Sequence, residues 1–423
     1  MNSPSSEPDQ LIEDLLQSHI QWPEETVLES PFPENHDLVC FSHLRWDWVY
    51  QRPQHLLSRC AQSRRVFYIE EPLHSASDLC YLDLSKRECG VWVAVPYLPK
   101  SVKAEHVVTL QKLLLDALFT EANIQSPILW YYTPMAMPFT HHCEASAVIY
   151  DCMDELSAFK NAPPELQERE AELFRKADLV FTGGYSLYEA KQHQHSSVHA
   201  FPSSIDAPHF AQARVLEEEP EDQALIPHPR LGFYGVIDER MDLELLDGIA
   251  QARPDWHLVI LGPVIKIDPE MLPNRPNIHY LGSKSYQELP RYLAGWDVAL
   301  LPFARNESTR FISPTKTPEY LAAGRPVVST SIQDVVRHYG DEGLVAIADT
   351  VPDFVQEIAS ALERSQTSSE WLSQVDMALA QTSWDLTWQA MHELIEGKIL
   401  GQARWEISQQ PSFRSNELAE SAL

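Results

Sequence analysis

Short apolar runs alternate with amphipathic runs along most of this 423-residue chain. The apolar runs are rich in Val, Ile, Leu, Phe and Tyr, and helical spacing of apolar positions follows them. Continuous apolar strands separated by helices are typical of a parallel sheet that is covered on both faces. In the first half of the chain we predict strands at 37–43, 65–70, 91–97, 128–132, 147–151, 178–182 and 198–201.

The same alternation restarts in the second half, where strands are predicted at 231–236, 257–261, 278–281, 298–302 and 326–330. Between the halves, residues 207–229 carry a cluster of acidic residues among prolines, as expected of a solvated linker. Near the C-terminus, Trp384, Trp388, Met391 and Leu394 form a wide apolar stripe that predicts a packed helix.

These patterns predict an α/β protein with two Rossmann-like, doubly wound parallel-sheet domains. The segments we expect are an acidic, loosely packed N-terminal arm (1–36), a first domain (37–206), an acidic linker (207–229), a second domain (230–382), a C-terminal helix (383–400) and a tail (401–423).

The charge of the chain narrows the choice of partners. Lys and Arg number 32 and Asp and Glu 61, which gives a net charge of −29 and argues against a nucleic acid partner. No apolar run approaches the ~20 residues of a membrane helix, and the N-terminus lacks the order of a signal peptide. The six cysteines show no paired spacing, so we expect reduced thiols and a cytoplasmic protein.

Several cofactor sites are excluded by what the sequence lacks. No glycine precedes Gly90, so the first strand-to-helix turn cannot carry the G-x-G-x-x-G motif of a dinucleotide site. The chain also has no GxxxxGK[ST] phosphate loop and no Asp-x-Asp pair for a divalent cation. His193, His195 and His199 straddle a predicted helix end and are interpreted as surface residues. We therefore expect neither a cofactor nor a metal.

The segment Ser313-Pro-Thr-Lys-Thr-Pro-Glu-Tyr-Leu-Ala-Ala-Gly-Arg-Pro-Val-Val is the most informative stretch of the chain. Ser313 can cap a helix, and the amides behind it would favour a phosphate. Lys316 and Glu319 then share a helix face, where the ammonium can neutralise a diphosphate and the carboxylate can bind a ribose diol. Alternatively the helix starts at Thr317 and Pro318, which leaves Lys316 in the loop, or the pair is simply solvated.

With this segment the chain resembles glycosyltransferases of the GT-B architecture, particularly the group that makes bacterial polysaccharides and glycolipids. The resemblance extends to GFYGVIDER at 232–240, to PSSIDAPHF at 202–210 and to the Trp-rich C-terminal helix. It implies two domains facing a cleft, with a nucleoside-diphosphate sugar, UDP-linked in our interpretation, held mainly by the second domain without a metal. The first domain would bind a glycan or lipid-linked acceptor, and the C-terminal helix would pack back on it.

The resemblance also implies donor-binding residues, which are Gly235, Arg240, Ser313, Thr315, Lys316 and Glu319. One position departs from the pattern. Many retaining members carry a glutamate eight residues before the one that matches Glu319, and this chain has Phe311 there. Retaining stereochemistry is therefore not implied, and the chain is also similar to a xanthan glucuronosyltransferase-like branch that is inverting and uses an aspartate base in the first domain.

Loops after the strands of the first domain supply the acceptor side, because ligands of parallel sheets bind at the carboxyl ends of strands. Trp46 and Arg52 suit a sugar face and an anionic group, or else are a core anchor and a helix cap. An inverting transfer needs a base on the acceptor hydroxyl. Asp154 and Asp151 are the candidates, with His43 next, although either aspartate alone is also interpretable as a cap.

Two rival functions and one partner stay open at this level. A nucleotide-sugar epimerase can share the architecture and would convert the donor alone. A degenerate nucleotide-sugar-binding or scaffold protein is the other rival, given Phe311 and Pro318. A group of arginines in the first domain leaves peripheral contact with anionic lipid headgroups open: Arg45, Arg52, Arg59, Arg64 and Arg65.

Overall fold

The computed structural model of the chain describes residues 20–23, 30–32, 35–365 and 369–409. They form two sheets, each covered by helices. The strands of the first sheet are β1 Ile20–Gln21, β2 Leu38–Phe41, β3 Val66–Ile69, β4 Leu73–Ser75, β5 Tyr81–Lys86, β6 Trp92–Pro99, β7 Ile128–Tyr131, β8 Ala147–Cys152, β9 Leu179–Thr182 and β10 Val198–Ala200.

The first sheet has the order β1-β5-β6-β3-β2-β7-β8-β9-β10, with β4 on β6. Its pairs are parallel except β5 with β6. The chain winds outward from β2 in one direction and then restarts at β7 in the other, so the loops after these two strands flank the switch point where doubly wound sheets bind ligands. Alternate residues bury opposite faces: Val39 and Phe41 join one core cluster and Leu38 and Cys40 the other.

The second sheet is entirely parallel and has the order β13-β12-β11-β14-β15-β16. Its strands are β11 Arg230–Tyr234, β12 His257–Leu261, β13 Ile278–Gly282, β14 Val298–Leu301, β15 Val327–Ser329 and β16 Val345–Ile347. The predicted fold class, two doubly wound α/β domains, is confirmed by this topology. The switch point of this sheet lies between β11 and β14, directly beside the loop that carries Gly235 and Arg240.

Helices cover both faces of each sheet. They are α1 Arg52–Cys60, α2 Ala104–Glu121, α3 Met137–Thr140, α4 Leu166–Lys176, α5 Tyr185–Lys191, α6 Ala207–Ala211, α7 Glu221–Ala224, α8 Leu243–Ala252, α9 Leu289–Ala294, α10 Lys316–Ala322, α11 Gln333–Val335, α12 Val351–Ser365, α13 Ser369–Leu379 and α14 Trp384–Gln409. Trp384, Met391 and Ile395 of α14 enter a core cluster of the first domain. The C-terminal helix thereby crosses back from the second domain and packs on the first.

The predicted acidic linker is only partly solvated, because some of its residues anchor the segment 207–229 to the second domain while Val215, Glu218 and Leu225 stay exposed. Phe210, Ala213 and Ile226 belong to a core cluster of that domain. The amide of Gln223 is fully buried and bonds to Tyr292 and Trp296. In the sequence, the prolines and glutamates of this segment are typical of a solvated linker. The few apolar residues between them nevertheless anchor the segment to a surface of the second domain, which exists only once that domain has folded.

The N-terminal arm also contains structure that the sequence did not predict. Ile20 and Gln21 pair with β5, and Ile20 and Trp22 pack against the core of the first domain. Residues 1–19, 24–29 and 33–34 lie outside the described residues, as do 410–423 of the predicted tail. Strand β5 was likewise missed, although its alternation of inward Leu82 and Leu84 with polar neighbours is typical of a half-buried edge strand.

The arginines predicted as a headgroup-binding patch do not form a free basic surface. Each one is ion-paired within the chain, in the pairs Arg45–Glu70, Arg52–Asp151, Arg59–Asp385, Arg64–Glu396 and Arg65–Asp37. Because acidic residues distant in sequence neutralise them, clustering along the chain does not create a positive potential here. A search of the described helices found none with the length and apolar character needed to cross a bilayer.

Candidate active site

A cleft of about 510 Å³ lies between the two domains at the carboxyl ends of both sheets. Its walls come from the loops after β2, β8 and β9 on one side and from the loops after β11, β12, β13 and β14 on the other. Among the residues predicted from the sequence, the cleft is lined by Trp46, Arg52, Asp154, Gly235, Arg240, Ser313, Thr315, Lys316 and Glu319. The fold thus brings residues more than 250 positions apart in the chain to one site.

Helix α10 begins at Lys316, between the two starts left open by the sequence. Thr315 precedes it, and no side chain caps it, so the predicted capping role of Ser313 is wrong. Instead the carbonyl of Ser313 accepts a hydrogen bond from the Ser203 hydroxyl at 2.8 Å, which ties the donor loop to the first domain. Pro318 is tolerated because the amides of the first helical turn need no partner inside the helix.

Lys316 reaches into the cleft across Gly235. Gly235 has φ of +138°, and a Cβ built on it would lie 2.2 Å from Cε of Lys316. Any side chain there would displace the lysine, so this glycine is required both for its backbone conformation and for the close approach. Burial and the neighbouring Arg240 lower the pKa of Lys316, while Glu319, Asp238 and Asp154 oppose that shift.

Glu319 lies one turn along α10 and is only 7% exposed. Its Oε2 accepts a hydrogen bond from the Tyr234 hydroxyl. The Tyr320 hydroxyl accepts a hydrogen bond from the Tyr234 amide at 3.0 Å, at the end of the same strand. Burial raises the pKa of Glu319, and the hydrogen bond from Tyr234 and the charge of Lys316 lower it. The pair therefore combines a positive and a negative group on one helix face, as the spacing predicted.

Arg240 holds its guanidinium against Asp238, with a closest contact of 2.7 Å. Its face also lies 5.3 Å from the ring centre of Phe159, a residue of the first domain. Asp238 is 2% exposed, so the ion pair holds the arginine against the buried side of the cleft wall. About a quarter of the Arg240 side chain stays accessible. Arg240 and Lys316 thus place two cationic groups on this wall of the cleft, with the carboxylates of Asp238 and Glu319 beside them.

Asp154 faces those cations from the first domain, two residues after the end of β8. Burial raises its pKa to about 6, against the opposing charges of Arg240, Arg52 and Lys316. A carboxylate that loses its proton near neutral pH and lines a cleft has the protonation behaviour of a general base. Asp154 lines the cleft and lies near cationic groups of both domains, Arg52 of the first and Arg240 and Lys316 of the second.

The predicted role of Asp151 as the base does not fit its environment in the structure. It is completely buried, lies outside the cleft wall and binds the Arg52 guanidinium through both carboxylate oxygens, with contacts of 2.9 to 3.1 Å. Arg52 also donates to the Phe201 carbonyl at 2.8 Å. The predicted acceptor-binding role of Arg52 therefore needs correction: the residue lines the cleft, but each of its three guanidinium nitrogens already donates to a protein oxygen.

His43 is the other base candidate that the structure does not favour. It is not among the cleft-lining residues of the described chain. Burial and the charge of Lys266 lower its pKa to about 4, so the ring is neutral at physiological pH. Its Nδ1 is buried and has no hydrogen-bond partner within the described residues.

Trp46 was predicted to stack on a sugar, but it is mainly a core residue. Only 7% of it is exposed, its ring packs edge-on against Tyr68 at 5.0 Å, and its backbone bonds to Glu70 and Gln54. The exposed aromatic residues of the same loop, Trp48 and Tyr50, also line the cleft. The burial of one tryptophan and the exposure of its neighbour follow from which side chain points toward the sheet, and residue type does not reveal that.

The domains also contact each other beside the cleft. Asp334 of the second domain is 2% exposed and accepts hydrogen bonds from the Tyr185 and Ser186 amides at 2.9 and 3.0 Å and from the Ser186 hydroxyl. Phe311 packs against the core of the first domain. The aromatic residue at this position thus joins the domains, where the related pattern has a carboxylate. Sequence reasoning missed Asp334, which carries no local signal.

Sequence reasoning also missed an aromatic group at one end of the cleft. Tyr286 stacks on Tyr50 of the first domain and on His209, and His55 stacks on Trp384 of the C-terminal helix. The signal that was available is the Ser285 to Glu288 capping box after a predicted strand, which marks a structured loop at the ligand end of the sheet. Within the described residues no group of three or more His, Cys, Asp or Glu side chains is placed to hold a metal ion.

Comparison with known proteins agrees with this geometry. Residues 228–364 match the family described as Glycosyl transferases group 1. A curated relative, the putative teichuronic acid biosynthesis glycosyltransferase TuaH of Bacillus subtilis (strain 168), is 25% identical over 239 residues, which cover 52% of this chain and 59% of the relative. The matched chain thus spans about three-fifths of that relative's length.

Solved structures show the same fold over nearly the whole chain. Sucrose-phosphate synthase from Thermosynechococcus elongatus has a TM-score of 0.66 at 13% identity and covers 87% of this chain and 100% of its own. Anabaena HepE in complex with UDP has a TM-score of 0.60 at 11% identity, with coverage of 86% and 100%. At such identities the likeness concerns the fold. The chain accordingly has the GT-B fold of these structures, and its residues 228–364 are similar to the glycosyl transferases of group 1.

Proposed function

We propose that this protein is a glycosyltransferase that moves a sugar from a nucleoside-diphosphate sugar to a hydroxyl group of a glycan or lipid-linked acceptor. The observation that carries the proposal is the placement of Lys316 and Glu319 on one helix face inside the cleft, opposite Asp154. The family of the second domain and the names of the relatives support it. We assign the donor as UDP-linked because HepE binds UDP in its structure, and we place the reaction in the cytoplasm.

The residues divide the reaction between the two domains. Lys316 and Arg240 neutralise the diphosphate and stabilise it as it leaves, without a metal ion. Gly235, Ser313 and Thr315 shape the phosphate wall, and Glu319 binds the ribose. Asp154 takes the proton of the acceptor hydroxyl as that oxygen attacks the anomeric carbon, and the bond to the diphosphate breaks. Attack from the face opposite the leaving group inverts the anomeric centre, consistent with Phe311 at the position of a donor-sugar carboxylate.

Replacing Lys316 with alanine tests the donor site. Charge-assisted hydrogen bonds contribute about 1.5–3 kcal/mol, so kcat/KM is expected to fall about 10- to 150-fold. The measurement is sugar transfer from a panel of nucleotide-sugars, together with UDP affinity by calorimetry. The exposed Lys100, which is not among the cleft-lining residues of the described chain, provides a matched Lys→Ala control. Unchanged UDP binding and turnover in Lys316→Ala would show that this lysine is not part of the donor site. Conversion of the nucleotide-sugar in the absence of any acceptor would instead indicate an epimerase.

The rate should depend on pH in a bell-shaped manner. Asp154 acts as a carboxylate, and burial raises its pKa to about 6, so kcat/KM rises as the pH increases through that value. Lys316 acts as an ammonium, and its lowered pKa makes kcat/KM fall on the alkaline side earlier than an ordinary lysine would. Saturating donor should move the alkaline limb to higher pH, because a bound diphosphate favours the charged lysine. An acidic limb that persists unchanged in Asp154→Asn would exclude this carboxylate as the titrating group.

A further inference from the structure

Tyr286 lines the cleft, and the proposed function gives its hydroxyl no role. It lies in the loop after β13, where Ser285 and Glu288 cap each other reciprocally and fix the loop. The loop is at the carboxyl end of the sheet, where ligands of parallel sheets bind, and follows the edge strand, two strands from β11.

The ring of Tyr286 is held on both faces. His209 stacks on it with centroids 4.4 Å apart and planes at 9°, and Tyr50 of the first domain stacks at 4.6 Å and 29°. Two nearly parallel rings at such distances must occupy opposite faces. The His209 Nε2 lies 3.0 Å from the Tyr286 carbonyl oxygen and donates to it, and Phe210 packs edge-on at 5.5 Å. The ring is therefore fixed, and one of its two clamps belongs to the other domain.

The hydroxyl of this ring has no hydrogen-bond partner among the described residues, although it is buried. An unsatisfied buried donor costs about 1–3 kcal/mol, which a ligand acceptor can recover. Burial and the charges of Glu319 and Asp206 raise the pKa of Tyr286, so the phenol stays protonated and is available as a donor. Glu319 uses Oε2 for Tyr234, and no described residue bonds to its Oε1. The tyrosine donor and the carboxylate acceptor thus both remain available at this end of the cleft.

We propose that Tyr286 is a further donor-binding residue whose hydroxyl binds a ribose hydroxyl of the nucleotide, beside the one bound by Glu319. Tyr50 is then a positioning residue, which completes the nucleoside site from the first domain through its ring stack. This inference rests on the proposed function for the identity of the ligand, and it adds that nucleoside recognition requires both domains.

Calorimetry on the full chain with UDP, its 2′-deoxy and 3′-deoxy analogues and inorganic pyrophosphate tests the proposal. Tyr286→Phe keeps the ring stack and should weaken UDP about 3- to 10-fold without changing pyrophosphate affinity. The deoxy analogue that lacks the contacted hydroxyl should bind wild type and variant equally. Tyr280→Phe is the matched control, because its hydroxyl already donates to the Pro273 carbonyl at 3.2 Å.

Tyr50→Leu should likewise weaken UDP while pyrophosphate affinity stays unchanged. Its control is Tyr81→Leu, a tyrosine equally stacked on Tyr97 at 4.9 Å on the edge of the first sheet. UDP affinity in Tyr286→Phe equal to wild type would overturn the assignment, and equal losses for UDP and both deoxy analogues would exclude the ribose contact. If wild type binds no nucleoside diphosphate, the proposed function itself fails, which is a different result from failure of the variants alone.

Discussion

Asp154→Asn is expected to lower kcat about 10²- to 10⁴-fold, because the amide cannot accept the proton of the acceptor hydroxyl. The two side chains have nearly the same shape, so the cleft should keep its geometry. UDP affinity should be unchanged or higher, since the substitution removes a negative charge that faces Lys316 and Arg240. This split between turnover and nucleotide binding is what distinguishes a base from a donor-binding residue.

The measurement is steady-state transfer at a pH above 7 together with UDP calorimetry. Asp247→Asn is a suitable control, because Asp247 is an exposed carboxylate paired with Arg275 on the outer helix α8. A kcat for Asp154→Asn within threefold of wild type would contradict the base assignment. The anomeric configuration of the product, read by proton NMR, gives an independent check: retention would be incompatible with a single attack assisted by Asp154.

Arg52→Ala is expected to destabilise the first domain by about 3–5 kcal/mol, because Asp151 would remain as a buried and uncompensated charge. Both side chains are nearly inaccessible, and several hydrogen bonds join them. The loss would also leave the Phe201 carbonyl without its donor. Urea denaturation followed by tryptophan fluorescence measures the effect as a lower transition midpoint.

Two comparisons separate the buried pair from an ordinary ion pair. Arg291→Ala removes one partner of the exposed Arg291–Glu218 contact and should cost less than about 1 kcal/mol. The double variant Arg52→Met/Asp151→Val should recover much of the lost stability, because apolar residues of roughly matching size leave no unpaired charge. A midpoint for Arg52→Ala equal to wild type would show that the pair contributes little to stability.

Two neighbouring aspartates at the end of β8 illustrate what a local sequence pattern can and cannot predict. Asp151 and Asp154 follow the same strand and looked equally suited to be the base. Asp151 is the penultimate residue of β8, and its side chain points beneath the cleft toward Arg52. Asp154 lies beyond the strand and faces cations that come from the other domain. The different environments of the two aspartates depend on contacts with residues far away in the sequence, which a local sequence pattern cannot show.

The orientation of Trp46 and Arg52 was not predictable from the sequence for a similar reason. The donor residues belong to one helix and one glycine turn, where short-range spacing determines which side chains share a face. Trp46 and Arg52 belong to an irregular loop, and their orientation is decided by Tyr68, Glu70 and Asp151. The same holds for the arginines of the first domain, since acidic partners far along the chain neutralise them.

By itself, the sequence determined the alternation that produces two doubly wound sheets, and the spacing that places Lys316 and Glu319 on one face. Both are properties of local backbone periodicity. Only the tertiary structure decided which of the two aspartates faces Lys316 and Arg240, that part of the segment 207–229 is anchored to the second domain, and that Tyr50 and Tyr286 stack across the domains. These outcomes depend on burial and on long-range contacts, which exist only once both domains have folded against each other.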